Sequence, residues 1–164
     1  MAGEEVRVNG GLAENGEIRI VPLEEGHVAA LALLEAEVFS DPWSEQAYLD
    51  LLRHSYCHYL VAEDSQGNPV GFAGMTVSID EADIDKVMVA PTSRRQGIAD
   101  RLLEEVMKLG GELGVRDFTL EVRKGNQPAI RLYEKHGFVS EGIRPVFYSN
   151  PREDALILWK RGKD

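Results

Sequence analysis

A single cysteine, Cys57, is all the thiol in this chain of 164 residues. One thiol cannot close an internal disulfide, and no cluster of Cys and His has metal-ligand spacing, so neither bridges nor zinc are expected. Long apolar runs are missing as well: none approaches the ~20 residues of a membrane span. No charged-then-apolar leader opens the sequence, which reads as that of a cytoplasmic protein. Positive charge is scarce, with 18 Lys and Arg against 28 Asp and Glu, a formal net charge of −10 at pH 7. That balance argues against nucleic acid and anionic membrane as partners and favours a cationic one. Internal repeats and low-complexity tracts are absent too.

What is present suits one globular domain. Apolar residues make up 43% and charged residues 28% of the chain, which excludes wholesale disorder. A chain of this size buries roughly 70% of its unfolded surface, enough for a core without staples. The first sixteen residues, with Gly3, Gly10, Gly11 and Gly16 among polar neighbours, read as a flexible arm. Residues 17–164 are then the folded domain.

Strand and helix patterns alternate from Glu17 onward. Ile18, Ile20 and the Pro22 stop predict a first strand. Val28, Leu31, Leu34 and Val38 mark a helix face. After Asp41-Pro42, Ser44 can cap a second helix with an apolar face of Ala47, Tyr48, Leu51 and Leu52. Tyr59 to Ala62, Val70 to Ile79 and Ala82 to Val89 read as strands, the first two separated by the turn Gln66-Gly67-Asn68-Pro69. A polar, basic loop from Thr92 to Gly97 precedes a long amphipathic helix carrying Ile98, Leu102, Val106, Leu109 and Leu113. Phe118, Leu120 and Val122 alternate as a strand, and Asn126 to His136 form a short helix. Phe138 to Ile143 and Ala155 to Trp159 complete the set. Seven strands and four helices of mixed spacing predict an α/β (α+β) fold around a mixed sheet.

Arg94-Arg95-Gln96-Gly97-Ile98-Ala99 lies between a strand and a helix start, where unpartnered backbone N–H groups and the helix dipole favour anions. Gly97 has no side chain to block approach, and two arginines add charge. The segment is therefore a candidate pyrophosphate cradle, although an ordinary exposed turn with solvated arginines would look the same. It is neither a Walker A loop nor a Gly-x-Gly-x-x-Gly turn. Glu121 points to the face opposite Phe118, Leu120 and Val122. An ionised carboxylate on a central strand needs either a partner, Arg123 or Arg131, or a purpose. Tyr133 reads as a core aromatic, and Asn126 as a helix N-cap. His54 and His58 have i, i+4 spacing, but no third ligand accompanies them, so a surface or satisfied pair is expected rather than metal. Cys57 reads as a small apolar filler.

The loop, placed after Val87-Met88-Val89-Ala90-Pro91, resembles the acetyl-CoA loop of the GNAT N-acetyltransferase superfamily. Leu120-Glu121-Val122-Arg123, Asn126, Ala129-Ile130, Leu132-Tyr133-Glu134 and Gly137-Phe138 match the same superfamily in order and spacing. Asp41-Pro42-Trp43-Ser44 and Glu153-Asp154-Ala155 narrow the resemblance to its RimI-like branch, enzymes that acetylate the N-terminal alanine of ribosomal proteins. The likeness runs from about Ile18 to Trp159.

The resemblance implies direct acetyl transfer from acetyl-CoA to an amine, with no metal. It implies that Glu121 is the general base, acting through water, and that Tyr133 is the acid protonating the departing sulfur. It gives Arg94, Arg95, Gln96, Gly97, Ile98, Ala99 and Asp100 to the pyrophosphate, and Asn126 to a cofactor amide. Val87, Met88 and Val89 would pair through their backbone with the pantetheine arm, where two parallel strands splay. Phe147 and Tyr148, expected between the last two strands, would line the acceptor slot; the branch commonly carries two tyrosines there. Two departures stand out: Ala99 replaces a second glycine, and Asp100 stands where a basic residue is frequent. The expected acceptor is a basic ribosomal protein N-terminus. The rivals are a small cationic amine as acceptor, or a non-catalytic acyl-CoA sensor.

Overall fold

The fold of residues 17–162 is described by a computed structural model. The expected arm at residues 1–16 lies outside the described residues, as do the last two positions of the expected domain. Seven strands form one sheet: β1 (Arg19–Pro22), β2 (Cys57–Glu63), β3 (Pro69–Ser78), β4 (Glu81–Val89), β5 (Asp117–Arg123), β6 (Val139–Ser149) and β7 (Arg152–Lys160). Their spatial order is β1-β2-β3-β4-β5-β7-β6. Every neighbouring pair is antiparallel except β4 and β5. Four α-helices flank the sheet: α1 (Val28–Val38), α2 (Glu45–Leu52), α3 (Ile98–Glu112) and α4 (Gln127–Lys135). The predicted mixed α/β architecture is the observed one.

Alternation along the strands divides the core between the two faces of the sheet. Val61 and Phe72 join Val28, Leu31 and Tyr48 under α1 and α2. Their neighbours Ala62 and Ala73 join Leu102, Val106, Ile130 and Tyr133 under α3 and α4. A period of two on the strands meets a period near 3.6 on the helices, so each apolar stripe finds a partner layer. Ser44 caps α2 as expected, its hydroxyl accepting from the Ala47 N–H at 3.1 Å.

Several expectations need correction. The sixth strand does not stop at Ile143: β6 runs to Ser149, so Arg144 to Tyr148 lie within a strand rather than between two. A register shift between Arg144 and Tyr148, with Val146 at a φ of 50°, breaks the alternation that would have revealed it. Leu52 and Leu113 are surface residues at helix ends, 43% and 44% exposed. Ile79 stands in the β3–β4 turn, 90% exposed at a φ of 60°. His58 lies in β2 and His54 precedes it in a turn, so their spacing is not a helical one.

The parallel pair holds the functional geometry. β4 and β5 are hydrogen-bonded only where Glu81, Ala82 and Asp83 face Asp117, Phe118 and Thr119. Beyond those residues the two strands part, while β4 stays paired to β3 through Val89 and β5 to β7 through Arg123. Backbone groups along the parting edges then need another partner.

Candidate active site

A cleft of about 1110 Å3 opens at this parting. Val87, Met88 and Val89 line it from β4 and Glu121 from β5, with Tyr133, Phe147 and Tyr148 also on its wall. The expected splay is therefore present, with the named β4 residues along it.

At one end lies the start of α3. Gly97 is its N-cap, at a φ of 76°, and no side chain caps the helix. The first helical N–H groups thus have no intrahelical acceptor. A Cβ at Gly97 would meet nothing within 4 Å, so glycine serves the left-handed backbone there rather than a tight contact. Arg94, Arg95, Gly97, Ile98, Ala99 and Asp100 all line the cleft, whereas Gln96 is exposed and does not. Arg94 Nε donates to the Val89 carbonyl at 3.2 Å, folding that guanidinium back onto the end of β4. The Asp100 carboxylate is engaged elsewhere. It accepts from Lys135 Nζ at 2.8 Å and lies 2.7 Å from His136 Nε2, tying the start of α3 to the end of α4. Burial alone would raise its pKa, but the hydrogen bonds from Lys135 and His136 outweigh this and hold the carboxyl below its ordinary value. Lys135 also lines the cleft, so the sequence departure at Asp100 comes with a neighbouring cation that offsets it.

Two expected chemical groups face the middle of the cleft. Glu121 occupies a half-buried position on β5, and its Oε2 accepts from Arg144 Nε at 3.2 Å. Its ionic partner comes from β6, not from Arg123 or Arg131. Tyr133 is buried, 8% exposed, with its ring edge-on to Phe138 at 5.8 Å between centroids. Among the described residues its hydroxyl has no hydrogen-bond partner, an unusual condition for a buried phenol. Burial first, and then the nearby Tyr148, push its pKa up, so the phenol stays protonated at neutral pH. Asn126 caps α4, its Oδ1 accepting from Ala129 N–H at 3.2 Å. Asn126 also lines the cleft.

These features fit a thioester of coenzyme A. The parted strands offer backbone groups to an amide-bearing arm, the uncapped helix start offers N–H groups to phosphate, and the orphaned phenol offers a proton.

The far wall is the β6–β7 hairpin. Phe147 and Tyr148 meet edge-on at 5.0 Å, and the Arg123 guanidinium lies 4.3 Å from the Tyr148 ring. Asp154 Oδ1 accepts from Val146 N–H at 2.8 Å, and Glu153 Oε2 from Gly125 N–H at 2.7 Å. The sequence block Glu153-Asp154-Ala155 thus holds the hairpin and the turn before α4. Ser40, between α1 and α2, donates to the Asn150 carbonyl and links the two segments that border this end of the cleft.

Sequence reasoning missed a polar network on the same side. Glu35 is fully buried in α1, where Lys86 Nζ reaches both of its oxygens at 2.8 and 2.9 Å. Tyr48 and the Trp43 N–H also donate to it. Lys86 further lies 3.9 Å from the Trp43 ring and 4.3 Å from that of Phe39. On β4 beside it, Asp85 lines the cleft and accepts from Thr76 and Tyr59 hydroxyls. The alternation Asp83-Ile84-Asp85-Lys86 was the available signal, but acidic residues on a strand usually mean only a solvated face.

Comparison with known proteins gives concordant results. The acetyltransferase (GNAT) family pattern matches residues 28–138. A [ribosomal protein bS18]-alanine N-acetyltransferase of Escherichia coli is 33% identical over 85% of this chain and 94% of its own. The N-alpha-acetyltransferase RimI of Mycobacterium tuberculosis is 31% identical over 93% of this chain and 98% of its own. The crystal structure of the E. coli ribosomal-protein-S18-alanine N-acetyltransferase superposes with a TM-score of 0.81, covering 90% of this chain and 96% of that one.

Proposed function

This chain belongs to the acetyltransferase (GNAT) family, and from that premise we propose that it moves the acetyl group of acetyl-CoA onto the α-amine of a protein N-terminus beginning with alanine or a similarly small residue. The observation that carries the reading is the cleft itself: Glu121, the orphaned hydroxyl of Tyr133 and the Phe147–Tyr148 wall converge on the gap between β4 and β5. Relatives named for α-N-acetylation align along nearly the whole chain and support the acceptor class.

The acceptor enters as an ammonium ion. Glu121, acting through water, takes its proton; the freed nitrogen attacks the thioester carbon, a C–N bond forms and the C–S bond breaks. Tyr133 gives its proton to the departing sulfur, the newly acylated nitrogen gives up its second proton to restore the phenol, and the proton held by Glu121 leaves to solvent. General acid and base groups of this kind contribute about 10²–10⁴-fold each. An α-amine with a pKa near 7.7–8.0 is roughly one-tenth neutral at pH 7, against about one part in 2,500 for lysine. One half-buried glutamate suffices for the first and is poorly matched to the second. The N–H groups at the start of α3, with Arg94 and Arg95, hold the pyrophosphate, and the Asn126 amide holds the pantetheine arm.

A basic ribosomal protein is the partner that the net charge of −10 fits best. Such a substrate makes the cytoplasm the working compartment, and no described helix is long and apolar enough to cross a membrane. The test is incubation with acetyl-CoA and a panel of peptides, polyamines and side-chain amines, read by mass spectrometry. Acetylation at the α-nitrogen of alanine-first peptides is expected. Turnover confined to polyamines, or acetyl-CoA binding with no turnover of any amine, would overturn the reading.

A further inference from the structure

Asp85 is aimed into the cleft by features from three strands. The β3–β4 ladder shifts register so that Met75 faces Ile84 and Gly74 faces Lys86, leaving Asp85 as the extra residue of a β-bulge. Tyr59 reaches it from β2 by laying its ring across β3 at Gly74, where a Cβ would sit 2.0 Å from that ring. Only glycine permits this crossing. Both anchoring hydroxyls go to the same oxygen: Tyr59 and Thr76 donate to Oδ2, the latter at 2.6 Å. Among the described residues Oδ1 has no partner. The carboxylate therefore has one oxygen tied down and one free, in a cleft that Tyr133 also lines.

The charged and titratable surroundings of Asp85 are mostly acidic or neutral. Cys57 and Tyr59 face it from β2, Asp83 adjoins it on β4, and Glu121 faces it from β5. Lys86, next in sequence, is spent on Glu35. Arg144 is paired to Glu121 and acts on Asp83. A free carboxylate oxygen in such company lacks a cation.

We propose that Asp85 is the anchor for the acceptor's α-ammonium group, a specificity-determining residue that receives the amine in its charged form and orients it toward Glu121. The inference rests on the reading that a protein N-terminus is the acceptor, and it names the group that recognises it. An ammonium has three N–H donors in a tripod. One goes to Asp85 Oδ1, leaving another for the water through which Glu121 takes the proton. Burial pushes the Asp85 carboxyl above its ordinary value against the pull of the Thr76 and Tyr59 hydroxyls, and the arriving ammonium favours its ionised form. The two hydroxyls on Oδ2 spread its charge, so that it holds the ammonium without making the proton too hard to remove.

The test compares an alanine-first peptide with the same peptide capped by a propionyl group, which lacks the amine. Binding of each to the CoA-loaded protein is measured by calorimetry, alongside KM and kcat for the free peptide. The wild type should prefer the free amine. Asp85→Asn should lose that preference and raise the peptide KM by about tenfold to a hundredfold, the range for a hydrogen bond to a charged group. Its acetyl-CoA affinity and unfolding temperature should be unchanged, and Asp85→Glu should recover part of the loss. Unchanged amine preference and KM in Asp85→Asn would overturn the proposal, as would a parallel loss of acetyl-CoA affinity, which marks a structural role. A wild type that ignores peptides and acetylates a diamine would instead overturn the N-terminal reading. The same KM comparison on the diamine would then decide the role of Asp85 separately.

Discussion

Replacing Tyr133 with phenylalanine removes a hydroxyl that, among the described residues, bonds to nothing in the protein. If Tyr133 were simply a core aromatic, the hydroxyl would be a buried polar group without a partner, costing about 1–3 kcal/mol. Phenylalanine keeps the ring, its edge-on contact with Phe138 and its place under α3 and α4. Tyr133→Phe should therefore be neutral to stabilising, by up to about 1–3 kcal/mol. For a domain of this size each kcal/mol moves Tm by roughly 2–4 °C, so the shift should fall between zero and about +10 °C. The catalytic role predicts the opposite sign for activity. Without the phenolic proton the leaving sulfur departs as a thiolate, and kcat should fall about 10²–10⁴-fold. Acetyl-CoA affinity should hardly change. Thermal unfolding followed by circular dichroism and steady-state release of CoA thiol measure the two effects on one preparation. A variant that loses stability and activity together would refute the reasoning, because the hydroxyl would then have a structural partner. Full turnover would refute it as well.

Glu121→Gln should lower kcat by about 10²–10⁴-fold with acetyl-CoA binding preserved; near wild-type turnover removes it as the base. Gly97→Glu places a charged side chain at a left-handed backbone position where phosphate is expected, so calorimetry should show a large loss of acetyl-CoA affinity. An unchanged affinity would sink the cradle. Phe147→Tyr adds a hydroxyl to the acceptor wall and should sharpen the preference for small first residues by about twofold to tenfold, whereas Tyr148→Phe should impair peptide turnover more than acetyl-CoA binding. Peptide kinetics on the two variants decide whether that segment lines the slot. Asp100→Asn should cost under about 1 kcal/mol in urea unfolding at pH 7, as befits a partly exposed pair. Because the folded carboxyl titrates below its unfolded value near 3.9, that contribution is complete above this value and is lost as pH falls through the lower one. A difference between wild type and variant that survives at pH 2 would show that the ion pair is not its source.

The period-two and period-3.6 apolar patterns located the seven strands and four helices, though not the full length of β6, because each element must bury one stripe. Local chemistry placed the Ser44 and Asn126 caps, since a cap is decided by a few neighbouring residues. The loop, Glu121 and Tyr133 were legible as a family motif in order and spacing. Where alternation breaks, the sequence misled: β6 extends through a register shift around Val146, so Phe147 and Tyr148 belong to a strand. Pairings between residues far apart in sequence were out of reach altogether. Arg144 on Glu121, Lys135 on Asp100 and Lys86 on Glu35 join segments 23, 35 and 51 residues apart, and nothing local selects one arginine or lysine over another. Asp85 is the sharpest case. Its residue type predicts a solvated strand face, and only the bulge in β4, the missing Cβ of Gly74 and the crossing Tyr59 ring turn it into the cleft. Periodicity and motif, which are properties of neighbours along the chain, determined the fold and the reaction class; the direction in which each charge points depends on which strands lie side by side, and tertiary structure alone decided that.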